Sequence, residues 1–271
     1  MIDQGSHSIC GVSVAAVDYE AAVSKIMQSA QQKRGFSVSA LAVHGVMTGY
    51  LDPEHRVRLN SLDLIVPDGQ PVRWALRLLH KCRLSDRVYG PELTLRVCAA
   101  AETAGVPVFF YGSKQETLTA LHENLNRAFP RLNIAGEIPS KFRVLSEAEN
   151  EETLRQIKAR GAGIVFVGLG CPRQEVWAYE NASVLSCPVL AVGAAFDFHA
   201  GLLSQAPKWM QDRGLEWLYR LGCEPRRLWR RYAYLNPLFC YAVVCQFFAG
   251  KLRPNDLVPP RGPAPKRIRY G

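Results

Sequence analysis

Long apolar runs, paired cysteine motifs and, in the last quarter, acidic residues are all scarce in this chain of 271 residues. No stretch stays apolar for the roughly 20 residues that a membrane span needs, so hydropathy alone points to no spanning helix. The opening residues, MIDQGSHSICG, lack the basic start and apolar run of a secretory signal. The 8 cysteines are scattered and form no CxxC pair. Cys98, Cys187, Cys240 and Cys245 sit among apolar neighbours, where a free cysteine behaves as a small hydrophobe, so a reduced, cytoplasmic protein is expected. No cluster of His, Cys and carboxylates has metal-ligand spacing, and no metal or other cofactor is expected. The glycine patterns are neither GxGxxG nor a P-loop, which removes the two commonest phosphate fingerprints. No internal repeat is visible.

The shortage of acids in the last quarter shapes the charge of the whole. From Leu203 onward there are thirteen Lys and Arg against four Asp and Glu, so the entire formal charge of +9 sits there and the first 202 residues balance. A neutral body with a basic end suits a polyanion or an anionic membrane surface. With 48% hydrophobic residues the chain is able to bury a full core. Three parts are expected: an α/β body over 1–202, a basic and aromatic helical appendage over 203–250, and a disordered tail rich in Pro and Arg over 251–271.

What the chain has in quantity is an alternation of strand-like and helix-like segments. Strands are expected over 36–46, 62–66, 106–111, 132–136, 163–167 and 189–192, from apolar runs rich in β-formers. Helices are expected over 71–79, 93–103, 116–129, 147–160 and 174–183, the first with Pro71 in its opening turn, where a missing N–H does no harm. Strands separated by helices imply parallel pairing and a Rossmann-like α/β sandwich. Ligands bind such sheets at the carboxyl ends of the strands. Here those ends are Pro67-Asp68-Gly69, Gly112-Ser113-Lys114, residues 168–174 and residues 193–197. Beyond Gly201, residues 207–221 are amphipathic, 225–235 strongly basic, and 237–249 almost wholly apolar. The last of these would extend ~20 Å as a helix, too short for the ~30 Å hydrocarbon core, and so suits an interfacial position.

Several residues at those ends carry chemistry, each with a plainer alternative. Asp68 reads locally as a turn and helix cap, or as a general base taking a proton from an acceptor hydroxyl. The turn Gly168-Leu169-Gly170 leads through Cys171 and Pro172 to a helix start whose N–H groups suit a nucleotide diphosphate. Gln174 there is either an exposed helix cap or a reader of a base or sugar edge. Asp197, in AAFDFHAG, needs a partner because an unpaired buried charge costs on the order of several kcal/mol; sugar hydroxyls or an arginine would serve. His44 and His199 are each a ligand or base, or a satisfied structural histidine. Arg226, Arg227, Arg230 and Arg231 fall at helical spacing over more than one face, interleaved with Trp209, Trp217, Trp229 and Tyr232. That make-up suits a solvated face, a lipid-headgroup surface, a diphosphate site or an RNA-binding surface. The apolar 237–249 favours the membrane, and no nucleic-acid partner is expected.

Taken together, VHGVM…DPEHRVRLNSLDLIVPDGQPVRWAL, RVYGPEL, VFFYGSK, IVFVGLGCPRQE and FDFHAG…APKWMQDRGLEWLYRLGCEPRRLWRRY resemble the WecG/TagA/CpsF family of bacterial glycosyltransferases, from about Phe36 to about Pro237. The resemblance implies an inverting, metal-independent transfer from a UDP-sugar to a saccharide on polyprenyl diphosphate, at the inner face of the cytoplasmic membrane. It implies a Rossmann-like core with an appendage that helps close the site and reaches the membrane. Carried over by motif, Asp68 is the catalytic base, and Gly112, Gly168, Gly170, Pro172, Gln174 and Asp197 surround the nucleotide. His44, Gln70, Arg220, Arg226, Arg230 and Arg231 face the donor or acceptor diphosphate. Ala40-Leu41-Ala42 stands where members often have Thr-x-Asn, which leaves the donor sugar open. Self-association is also left open. Two other classes fit parts of the pattern: a non-catalytic UDP-binding scaffold on the membrane, and an RNA-binding protein using the basic end.

Overall fold

In the computed structural model, residues 1–252 and 270 are described. The order is β1 (Asp3–Ile9), β2 (Val12–Val17), α1 (Tyr19–Gln31), β3 (Phe36–Leu41), α2 (Val43–Leu51), α3 (Pro53–Asn60), β4 (Leu64–Pro67), α4 (Gln70–His80), α5 (Gly90–Ala104) and β5 (Val108–Gly112). It continues with α6 (Gln115–Ala128), β6 (Ile134–Ile138), α7 (Glu147–Ala159), β7 (Ile164–Gly168), α8 (Arg173–Leu185), β8 (Pro188–Ala191), α9 (Ala195–His199), α10 (Lys208–Asp212), α11 (Glu216–Cys223) and α12 (Pro225–Leu252). Strands β3 to β8 form one six-stranded sheet in the order β4-β3-β8-β7-β5-β6, and every pair is parallel. The expected α/β class and parallel pairing are therefore observed.

The sheet is buried on both sides because its central strands are apolar at every position, as parallel sheets require. Side chains alternate between faces. Val108, Phe110, Ile164 and Phe166 join one core cluster with α1, α5 and α6, while Phe109, Tyr111, Val165 and Val167 join another with α7 and α8. Phe110 stacks on Phe166 at 5.3 Å and meets the edge of Phe196 at 5.6 Å, which fixes α9 against the strand ends. A third cluster packs the β1–β2 hairpin against α2, α4 and α12.

Four local readings differ from the structure. The first 35 residues carried no assigned element, yet they form the hairpin and α1. The hairpin turns at Cys10-Gly11, both with positive φ (51° and 84°), the geometry whose twist matches paired strands. The strand expected over 36–46 ends at Leu41, and Val43 to Val46 open α2 instead. An apolar run has no period to separate strand from helix, and burial of Val46, Met47 and Gly49 decides for the helix. Residues 207–221 divide at Gly214, whose φ of +69° and contact with the Trp74 ring break the helix into α10 and α11. Finally, 225–235 and 237–249 are one helix of 28 residues, α12, with Pro237 inside it on an exposed side.

That continuity changes the length argument. Pro225–Ala249 is long enough, and apolar enough over its later part, to cross a membrane by length and composition. Yet α12 is docked along one face by Leu228, Leu235, Phe239, Ala242 and Val243. Gln246 pins it further, accepting from the Cys10 N–H at 2.7 Å and donating to the Ser8 carbonyl at 2.8 Å. Apart from Lys251, Leu252 and Tyr270, the tail expected over 251–271 lies outside the described residues.

Candidate active site

Parallel pairing sends the loops after β3, β4, β5, β7 and β8 out at one edge of the sheet, which is where the singled-out residues lie. From β5 the chain leads outward to β6, and from β7 it leads back to β8, so a crevice opens between their ends. Gly112 and Gly168 stand opposite each other there in the strand register. Neither position has room for a side chain: a Cβ on Gly112 would lie 2.8 Å from the Gly168 carbonyl carbon, and one on Gly168 would lie 2.6 Å from the Phe196 ring. The two strand ends are therefore closely packed, with the Phe196 ring against Gly168. Gly170 follows with φ +78° and open space where its Cβ would be.

Pro172 caps α8 after a cis Cys171–Pro172 peptide. Gln174 is buried and not an exposed cap. Its Oε1 accepts from the Gly170 N–H at 3.2 Å, and its Nε2 donates to Glu175 at 2.8 Å. This side chain braces the glycine loop. Gln70 is likewise buried, donating to Asp86 at 2.9 Å.

Asp68 follows β4, between the strand and α4. Its Oδ1 accepts from the Gly90 N–H at 2.6 Å, and its own N–H donates to the Leu41 carbonyl at 3.2 Å. The carboxyl is packed round by protein yet still reached by solvent, as at the floor of a cleft. Burial pushes its pKa up to about 6, and Glu216 acts in the same direction, while Arg87, the Gly90 N–H and Arg220 oppose. Small residues surround it. A Cβ on Gly90 would lie 3.1 Å from that of Ala40 and 3.6 Å from Asp68 Oδ1, and Ala42 packs over Gly69. The positions where Thr-x-Asn is common thus present methyl groups beside the carboxylate.

Three residues absent from the sequence-based set complete this corner. Arg87 is buried, ion-paired with Glu216 at 2.6 Å, bonded to Gln211 at 3.0 Å, and stacked 4.0 Å over the Tyr89 ring. The Tyr89 hydroxyl donates to Glu216 Oε1 at 3.0 Å. Arg87 and Tyr89 lie in the RVYGPEL motif, but no role was read for either from the sequence. Glu216 was visible only as one of the few acids in a basic segment.

The arginines separate into two groups. Arg220 lies over Phe198 at 5.7 Å, and its charge lowers the pKa of both Asp68 and Asp197. Burial raises the Asp197 pKa, and Glu224 adds to this, against Arg227, Arg220 and Lys114. Arg227, paired with Glu224 at 2.6 Å, is thus the one nearer Asp197. Arg231 acts on His44 and on Cys171, reaching from α12 to α2 and the β7–α8 loop, and its Nε is buried without a partner. Burial, with Arg231 and His55, pushes the His44 pKa down to about 4, so the ring is neutral at physiological pH. Arg226 and Arg230 are exposed, the latter over the Trp229 ring at 5.2 Å. His199 bonds the Pro91 carbonyl at 2.9 Å and is structural.

A six-stranded parallel sheet flanked by helices defines a Rossmann-like α/β protein, and the singled-out strand-end residues gather at the carboxyl edge of its sheet. The sequence pattern of the WecG/TagA/CpsF family of glycosyl transferases matches residues 7–253 of the chain, and the chain belongs to that family. It is thereby a glycosyltransferase of cell-surface polysaccharide synthesis. The match takes in the hairpin from His7 onward, α1 and the whole of α12.

The raised Asp68 pKa has a consequence for stability. A carboxyl whose folded pKa is near 6 rather than 3.8 loses stability as pH climbs between those values, and the loss is complete above them. Asp68→Asn keeps the oxygen that accepts from Gly90 and removes the charge. The variant is expected to be more stable than the parent at pH 8 by on the order of 1–3 kcal/mol, with the difference gone near pH 4, as read from urea melts.

Proposed function

We propose that this glycosyltransferase moves a sugar from a UDP-sugar to a saccharide carried on polyprenyl diphosphate, with inversion and without a metal, at the inner face of the cytoplasmic membrane. The observation that carries this is Asp68: a carboxylate at a strand end with one oxygen tied to a backbone N–H and a pKa raised to about 6. A base poised near neutrality is both ionised and basic enough to work. Asp68 takes the proton of the acceptor hydroxyl as its oxygen attacks the anomeric carbon, and UDP departs from the opposite face with the bonding electrons. The diphosphate lies over the Gly112–Gly168 crevice, against the start of α8, with Arg220, Arg227 and Arg231 facing its charge. Asp197 meets ribose or sugar hydroxyls. Guanidinium groups do the charge stabilisation that a divalent ion does elsewhere.

The membrane part rests on the free face of the appendage. Opposite the docked face, Trp229, Tyr234, Tyr241, Val244 and Phe248 of α12 are exposed, as are Trp209 and Trp217. Exposed Arg226, Arg227 and Arg230 begin the helix. Aromatic rings beside arginines suit the headgroup layer, and the bonds from Gln246 hold the helix along the body, in the plane of the interface.

Two outcomes check this. Asp68→Asn is expected to lower transfer from UDP-sugars to polyprenyl-diphosphate-linked acceptors at least ~100-fold while UDP binding survives; near-normal turnover rejects Asp68 as the base. Replacing exposed Arg226 and Arg230 by Ala is expected to weaken binding to anionic vesicles by roughly 30-fold at low salt, at about 1 kcal/mol per arginine. Unchanged, salt-insensitive binding in a sedimentation assay contradicts the interfacial placement.

A further inference from the structure

Arg87 lies near two carboxylates and pairs with only one. Its guanidinium opposes the raised pKa of Asp68, so the two groups feel each other, yet its ion pair at 2.6 Å is with Glu216. Among the described residues no ion pair joins Arg87 to Asp68, whose Oδ1 takes the Gly90 N–H instead. The guanidinium is held in that orientation from several sides. Gln211 accepts from it at 3.0 Å, and the Tyr89 ring lies 4.0 Å beneath it. The Tyr89 hydroxyl bonds the same Glu216 at 3.0 Å, while the Tyr89 N–H donates to the Tyr19 hydroxyl at 2.9 Å. Glu216 sits in the first turn of α11, where a carboxylate also meets the positive end of the helix dipole.

A carboxylate paired with an arginine is a weak base, because the guanidinium stabilises its ionised form. The arrangement avoids that outcome. Resting on Asp68 as the base, we propose that Glu216 is a positioning residue that draws the Arg87 guanidinium away from Asp68 and keeps that carboxylate free to take the acceptor's proton. Glu216 comes from α11, in the C-terminal helices, and Asp68 from the sheet edge. The appendage thereby contributes to the strength of the base as well as to closure of the site. The other groups facing Asp68 do not do this. Arg220, also from α11, and the Gly90 N–H at the start of α5 both lower its pKa. Tyr19 and Tyr89, whose own pKa values are raised, first by burial, stay neutral near pH 7.

The test reads Asp68 itself and needs no donor sugar. In the full chain carrying 13C-labelled aspartate, the Asp68 carboxyl resonance is assigned by its loss in Asp68→Asn and followed against pH. The parent is expected to titrate at about 6. Glu216→Gln is expected to titrate about one to three pH units lower, the range for an aspartate that gains an arginine partner. Combining it with Arg87→Met separates movement of the guanidinium from simple loss of a nearby charge. If Arg87 is the agent, Glu216→Gln shifts Asp68 little in the Arg87→Met background. Glu216→Asp keeps the charge with a shorter reach and is expected to give a smaller fall, which serves where the Gln variant melts early. An unchanged Asp68 midpoint in both Glu216 variants, or an equal fall with Arg87 replaced, overturns the proposal. Failure of the base assignment shows separately, as transfer surviving in Asp68→Asn while these titrations still shift.

Discussion

A buried guanidinium must find a counter-charge, and Arg87 finds it 2.6 Å away in a residue 129 positions along the chain, Glu216. Breaking a buried pair by removing one partner typically costs about 3–5 kcal/mol, since the other charge is left without compensation. That penalty ties α11 to the loop between α4 and α5, and the Tyr89 hydroxyl and Gln211 add their bonds to the same joint. The joint lies beside Asp68. One interaction therefore bears on where the C-terminal helices sit and on how much positive charge Asp68 feels, from Arg87 directly and from Arg220 on the same helix as Glu216.

The other constraint is backbone. Gly112 and Gly168 face each other in the strand register, with no room for a side chain at either, so β5 and β7 end in close contact beneath the Phe196 ring. Gln174, itself buried, holds the loop that follows. Charge then enters from the opposite side, on helices rather than strands: Arg220 from α11, Arg227 and Arg231 from α12. A rigid sheet edge and a docked set of helices thus contribute different halves of the site. The long helix that completes it turns its exposed aromatic face outward.

Sequence showed the sheet because its strands are mostly apolar and separated by helical segments, signals that lie within about ten or fifteen residues. It showed Asp68 and Asp197 because a lone acid after an apolar strand is conspicuous. The hairpin at the start escaped because DQGSHSI has a polar, mostly exposed outer strand. Val43 to Val46 were joined to the preceding strand because both are apolar, and only burial distinguishes them. Arg87, Tyr89 and Glu216 lay inside recognisable motifs, but their roles were not legible, since each depends on a partner far along the chain. The arginines were visible as a group, but which ones face the carboxylates depends on the rotation of α12, which its docked face sets.

The measurement that bears most directly on the transferase is a thermal-shift series of the full chain with UDP, GDP, CMP, ADP and NAD, each with and without EDTA. Saturating ligand at about a hundred times its Kd adds ~2.7 kcal/mol, enough to raise the melting temperature visibly. Selective stabilisation by UDP, undiminished by EDTA, is the expected result. No response to any nucleotide, or a response to UDP that EDTA abolishes, would contradict a metal-independent UDP-sugar site at the carboxyl edge of this sheet.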